Sequence, residues 1–208
     1  VFVGGGYAGV EAMAELEDLL RYATRYLHQV RPSDLRFVLV EASDRILPEV
    51  GEAMGRWTVD ALRERGIDVR LGTRLESTVD GHVVLSDGTA MLADTVVWTA
   101  GVRAHPMLGA TDLPLDERGR LLCRTDLSVE GVPDAWGAGD CTAVPDLARP
   151  GETCPPSAQH AVRQARLLAD NIVASMRGFG TTEYRHANNG SVASLGLYKG
   201  VAQVKGIR

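Results

Sequence analysis

Near the start of the chain, Gly4-Gly5-Gly6-Tyr7-Ala8-Gly9 follows the apolar run Val1-Phe2-Val3 and opens an amphipathic segment. No other feature constrains the fold as strongly. In a Gly-x-Gly-x-x-Gly turn the first glycine permits the tight bend, and the second lets backbone approach a diphosphate. The third brings helix and strand close together. The helix start then presents backbone amides and the positive end of its dipole to the phosphates. Such a turn is a weak signal alone; here a strand precedes it and a helix follows. The residues expected at a nucleotide are Gly4, Gly6, Tyr7, Ala8 and Gly9.

Apolar residues at Met13, Leu16, Leu20, Ala23, Leu27 and Val30 alternate steps of three and four. That spacing predicts one helix running to Pro32-Ser33, with Glu17, Asp18, Arg21 and Arg25 on its solvent face. Phe37–Val40 is a second buried strand, a helix follows over 51–65 with Gly66 as its C-cap, and 67–71 is a third strand. Segments near 75–79, 82–86 and 90–93 are punctuated by Asp80-Gly81 and Asp87-Gly88, which predicts a small antiparallel meander. Strand 95–98 closes the unit. The first hundred residues therefore predict an α/β fold: a Rossmann-like parallel sheet with an antiparallel meander inserted.

From His105 the texture changes, with dense prolines and glycines, a strand expected at Asp134-Ala135-Trp136, and a helix after Ser157 as N-cap. The apolar face expected of that helix is Ala158, Ala161, Val162, Ala165, Leu168, Ala169, Ile172, Val173 and Met176. Strand-like segments 191–195 and 200–204 end the chain. The expected cut falls near residue 104, giving a nucleotide-binding domain over 1–104 and a second domain over 105–208.

Glu41 stands at the C-terminal end of the second strand. A carboxylate there accepts the ribose hydroxyls of adenosine and repels a 2′-phosphate, so NADH is favoured over NADPH. Glu41 follows Gly9 by 32 residues, against about 20 in the usual fingerprint; the long first helix accounts for the excess. The plainer alternative is that Glu41 caps a loop.

Composition narrows the partners. A formal net charge of −5 argues against a nucleic-acid partner. No run approaches the roughly 20 apolar residues of a membrane-spanning helix, and no signal peptide is evident. Cys123, Cys141 and Cys154 contain no Cys-x-x-Cys spacing, so neither a metal site nor a redox dithiol is signalled; reduced thiols of a cytoplasmic protein are expected.

A second signature is Trp136-Gly137-Ala138-Gly139-Asp140, where a carboxylate follows a strand and small residues and can accept hydrogen bonds from sugar-type hydroxyls. Together with Trp98-Thr99-Ala100-Gly101-Val102-Arg103 and Ala158-Gln159-His160-Ala161, these motifs make the chain resemble the two-dinucleotide-binding flavoproteins. Within them it is similar to the type II NADH:quinone oxidoreductases over essentially its whole length. The resemblance implies FAD and NADH as cofactors and a hydride passed from NADH to flavin, then two electrons to a quinone. It assigns Gly139 and Asp140 to FAD and counts Ala100, Gly101 and Ala158 among the cofactor-contacting residues.

By the same resemblance Glu11, in Val10-Glu11, lies near the nicotinamide and flavin rings as a proton relay, the alternative being a carboxylate that favours the positive helix end. Gln159 lines the quinone site. The family's Gln-Gln pair is here Arg163-Gln164, a departure that bears on the quinone-pocket lining. The family carries a further Gly-x-Gly-x-x-Gly for FAD upstream and amphipathic membrane helices downstream, and this sequence contains neither. The chain is therefore expected to be a portion of a longer enzyme, binding FAD poorly alone and reaching the inner face of the membrane only through segments outside it. A homodimer is compatible with that reading. The competing readings are a related reductase with a ferredoxin, rubredoxin or disulfide acceptor, and an NADH-binding module without turnover.

Overall fold

The computed structural model describes residues 1–186 and 190–204. Two compact units emerge: Val1–Gly101 together with Asn189–Arg208, and Val102–Asn188. The cut expected near residue 104 differs from this division in one respect. The tail strands join the first unit, because they pack on its first helix.

The first unit is built on four parallel strands: β1 (Phe2–Val3), β2 (Val38–Val40), β3 (Asp68–Arg70) and, later in the chain, β7 (Val97–Trp98), in the order β3-β2-β1-β7. Phe2 pairs with Leu39 and Val97, and Leu39 with Val69. Strand side chains alternate between faces, and the two faces have different partners. Phe2, Leu39 and Val69 pack with Val10 and Met13 of helix α1 (Tyr7–Ala23) and Val59 and Leu62 of helix α2 (Glu52–Glu64). Val38 and Val40 point the other way, onto Val83, Leu85 and Met91. Those last three belong to the meander β4 (Leu75–Val79), β5 (His82–Leu85) and β6 (Ala90–Leu92), which is antiparallel as expected. Asp80 and Gly81 have φ of 51° and 75°, the paired left-handed conformations of a two-residue hairpin turn.

Two expectations for the first helix are corrected. Helix α1 stops at Ala23 rather than at Pro32. Beyond it Tyr26 and Leu27 are exposed, so no core contact holds further turns, and the Thr24 hydroxyl donates to the Arg21 carbonyl in competition with the helical ladder. Glu17, expected in solvent, is 1% exposed. Its carboxylate accepts from Arg65 Nε at 3.0 Å, beside further contacts with Arg21 and Arg65 Nη2, and so ties α1 to the end of α2.

The tail forms an antiparallel hairpin of β10 (Gly190–Ser194) and β11 (Gly200–Val204). Ala193, Leu195 and Val201 complete the core against α1.

The second unit has a small core of Leu121, Cys123, Leu127, Val129, Val144, Cys154 and Tyr184. Its regular elements are a short parallel pair, β8 (Leu121–Leu122) and β9 (Thr142–Ala143), and helix α3 (Ala158–Met176). The strand expected at 134–136 reduces to one bridge, Ser128 to Trp136, because Asp134 takes a φ of 57° that extended pairing cannot use. Ser157 caps α3 as expected, its hydroxyl accepting from the His160 amide at 3.3 Å. The helix is rotated from the expected face. Gln164 and Asn171 are buried with Leu167 and Leu168 packed beside them, whereas Val162, Val173 and Met176 are exposed. The buried polar pair makes this possible by hydrogen bonding: Asn171 Nδ2 donates to the carbonyls of Asp126 and Thr182, both at 2.8 Å. Among the described residues no helix is long and apolar enough to cross a membrane.

Candidate functional site

The glycine turn between β1 and α1 shows why three of its residues lack side chains. Gly4 has φ of 111°, and a Cβ there would lie 2.8 Å from the Ala100 nitrogen and the Thr99 carbonyl carbon. This close backbone approach is what brings Ala100, just after β7, to the turn. At Gly9 a Cβ would fall 1.9 Å from the Gly4 oxygen and 2.6 Å from Thr99 Oγ1, so the helix sits directly on the strand end. Gly6 differs: a Cβ there meets nothing within 4 Å. Gly6 begins the helix with no side-chain cap, which leaves first-turn amides without intrahelical acceptors beside that open space.

Glu41 follows β2 and turns toward the glycine turn at Gly5. Its Oε2 accepts the Gly5 amide at 2.6 Å; its Oε1 accepts the Ser43 amide at 2.7 Å and the Ser43 hydroxyl at 2.6 Å. Burial acts against its charge, but the bonds from Ser43 and from the Gly5 amide outweigh it and hold the carboxyl below the ordinary carboxylate range. The loop after it is secured to the turn: the Leu47 amide donates to Gly5 O at 2.8 Å, and Ile46 Cγ2 occupies the space a Gly5 side chain would need. What results is a cradle of amides with an anion at its edge, suited to a diphosphate and a neighbouring vicinal diol.

The other expected residues of the first unit are placed as follows. Ala8 is exposed at the helix start, and Gly101 follows Ala100 with φ of 87°. Tyr7 packs against the core, its hydroxyl buried and facing Ser191 of the tail hairpin. Glu11 lies in the second helical turn, and its Oε1 accepts the Ser194 amide of the tail hairpin at 2.8 Å. It is joined by Glu15, which accepts from the Ser194 hydroxyl at 2.6 Å, and Asp18, which accepts the Leu197 amide at 2.6 Å. One edge of α1 thus holds the hairpin through three carboxylates.

In the second unit Gly139 has φ of 80° and lies against Ala161 of α3. Its amide donates to Gln164 Oε1 at 2.7 Å. Asp140 is exposed and lines a cleft of about 530 Å³ with Arg103, Glu117, Arg118, Arg120 and Pro156 among its neighbours. Arg120 is paired to Asp116 at 2.8 Å; Arg103 and Arg118 have no acidic partner among the described residues. Ala158 and Gln159 are exposed in the first turn of α3, where the Gln159 carbonyl accepts from Arg163.

Sequence reasoning did not give two positioning roles: Gln164 entered it only through the quinone-pocket pair, and Ser43 not at all. Gln164 supports the Gly139-Asp140 turn, and its signal was the stripe His160, Gln164, Leu167, Asn171, which has helical spacing of its own. Ser43 anchors Glu41, and a serine two residues after an acid is a recognisable local hydrogen-bonding pattern.

The model for the family described as pyridine nucleotide-disulphide oxidoreductase matches residues 1–165. The chain belongs to this family. It is 33% identical over 212 residues to a type II NADH:quinone oxidoreductase of Staphylococcus saprophyticus, covering 99% of this chain and 52% of that protein. The chain therefore spans about half the length of the curated relatives it matches. Its fold is that of NDH2 from Plasmodium falciparum, solved in complex with NADH, with a TM-score of 0.86 at 14% identity over 99% of this chain and 57% of the other. An FAD-dependent pyridine nucleotide-disulphide oxidoreductase from Desulfovibrio vulgaris aligns with a TM-score of 0.70 at 25% identity, over 93% of this chain and 45% of that one.

Proposed function

We propose that this chain is the NADH-binding unit and part of the FAD-binding unit of a flavin-dependent NADH dehydrogenase that delivers two electrons to a quinone. The observation that carries the reading is the anionic Glu41, bonded to the Gly5 amide of the glycine turn. Within 1–104 the amides after Gly6 hold the diphosphate of NADH, and Glu41 holds the adenosine ribose. Gly4 and Gly9 keep strand and helix close enough for the amides to converge, with Ala100 and Gly101 bordering the turn.

In 105–208, Gly139 and Asp140 are suited to FAD: an exposed carboxylate beside a positive-φ glycine, in a cleft that also holds Arg103 and Arg118, which have no ion pair among the described residues, fits a polyol joined to a diphosphate. When bound, FAD supplies the acceptor for a hydride from NADH and the donor for two electrons. Gln164 keeps the Gly139 turn in place, and Ala158 and Gln159 present a helix start toward the cofactor and acceptor. Glu11 contributes by holding a proton near the reacting rings or by anchoring the hairpin; its bond to Ser194 supports the anchoring role. The quinone assignment draws support from the relatives' shared character and from Gln159. A place on the inner membrane face and a homodimeric state belong to the same proposal.

Replacing Glu41 by Arg in the full natural chain tests the ribose site: NADH binding weakens and preference shifts toward NADPH. Unchanged selectivity in fluorescence titrations removes Glu41 from that role. Replacing Gln159 by Ala tests the acceptor: quinone reduction slows more than flavin reduction by NADH. Equal slowing of both half-reactions in stopped-flow traces overturns the quinone assignment.

A further inference from the structure

The loop after Glu41 holds a serine and an arginine whose bonds bear directly on which nucleotide the site accepts. Ser43 has one hydroxyl proton and two acceptors in reach, Glu41 Oε1 at 2.6 Å and the Arg45 carbonyl at 3.0 Å. The shorter, charge-assisted bond goes to the carboxylate. With the Ser43 amide on the same oxygen at 2.7 Å and the Gly5 amide on the other at 2.6 Å, both carboxylate oxygens are fixed. Arg45 is the one cation in the loop between β2 and α2. Its Nη2 donates to the carbonyls of Pro48 and, at 3.3 Å, Val50, so the guanidinium is turned into its own loop.

We propose that Ser43 is a positioning residue for nucleotide selectivity: it locks Glu41 toward the adenosine ribose, while Arg45 is withheld from any 2′-phosphate by the carbonyls of Pro48 and Val50. This rests on the ribose role of Glu41. A carboxylate held only by the two backbone amides, one on each oxygen, rotates away from a phosphate more readily than one that also accepts the Ser43 hydroxyl, whose repulsion stays in place. The loop itself is stiff enough to serve as the support. The Gly72 amide donates to Ser43 O at 2.7 Å, the Thr73 amide to Glu41 O at 2.9 Å, and the Leu47 amide to Gly5 O.

The test is titration of NAD⁺ and NADP⁺ against the full natural chain across pH, with wild type, Ser43→Ala, Ser43→Thr, Arg45→Gln and Glu41→Gln compared. Losing a hydrogen bond to a charged group costs about tenfold in the population of the conformation that it holds, so Ser43→Ala is expected to weaken NAD⁺ binding by up to roughly tenfold, through the smaller fraction of protein with Glu41 set for the ribose, and to narrow the NAD⁺ over NADP⁺ preference by a similar factor. The pH profile distinguishes positioning from packing. NAD⁺ affinity falls as pH drops through the pKa of Glu41, and loss of the Ser43 hydroxyl raises that pKa, so the acid limb moves to higher pH. Ser43→Thr restores affinity, selectivity and the limb. Arg45→Gln leaves the NAD⁺ to NADP⁺ ratio unchanged; a rise in that ratio shows that Arg45 does reach the phosphate and overturns its part. If Glu41→Gln binds NAD⁺ as wild type, the ribose reading itself fails. If Glu41→Gln weakens binding but Ser43→Ala matches wild type in affinity, selectivity and pH limb, the role of Ser43 is overturned and the ribose reading stands.

Discussion

Replacing Gly9 and Gly6 by alanine, one at a time, separates what the glycine turn does for folding from what it does for binding. Gly9 lies inside α1, where local propensity alone favours alanine by about 1 kcal/mol. The structure predicts the opposite sign. A methyl at Gly9 would sit 1.9 Å from the Gly4 carbonyl oxygen and 2.6 Å from Thr99 Oγ1. Neither atom is free to move: Gly4 N is bonded to Val40 O at 2.8 Å, and Thr99 Oγ1 donates to Val3 O at 2.9 Å. Overpacking against such neighbours costs about 3 kcal/mol, the upper end of its usual range, so the net loss after propensity is about 2 kcal/mol.

Gly6 is the counter-case. Its φ of −73° and ψ of −179° suit alanine, and its Cβ would meet nothing within 4 Å. Stability should fall by less than about 1 kcal/mol, from the weaker N-cap. The added methyl nevertheless enters the space assigned to the diphosphate, and NADH affinity should drop at least tenfold, about 1.4 kcal/mol. Urea denaturation and NADH fluorescence titration of the full natural chain read the two quantities. A Gly9→Ala protein as stable as wild type would refute the steric reasoning. A Gly6→Ala protein that binds NADH normally would show that the open space is not the ligand's.

Two further substitutions probe the buried polar contacts. Glu17→Ala leaves the Arg65 guanidinium, 14% exposed in its side chain, with Asp18 as its one carboxylate partner among the described residues; breaking a buried pair in this way costs about 3 kcal/mol, and a loss under about 1 kcal/mol in denaturation midpoints would contradict the burial argument. Gln164→Leu removes the acceptor of the Gly139 amide; the flavin content of purified protein should fall while NADH binding by the first unit persists, and full flavin retention would show that this bond does not support the site.

Local chemistry alone determined much of this molecule. Glycine spacing set the turn, because only residues without Cβ tolerate the contacts at Gly4 and Gly9. Short apolar runs and three-to-four spacings separated strand from helix, and Asp80-Gly81 required a hairpin through its left-handed backbone. The end of β2 likewise marked Glu41 as the acid nearest the turn. Tertiary structure decided what depends on a partner distant in sequence. Glu17 is buried because Arg65, at the end of another helix, supplies its counter-charge. Helix α3 turns Gln164 and Asn171 inward because carbonyls and an amide elsewhere satisfy them, against its own apolar pattern. Glu11 spends its carboxylate on a hairpin 183 residues away. A side chain's burial is set by the free energy of the groups it meets, and those meetings are not written in its own neighbourhood of the chain.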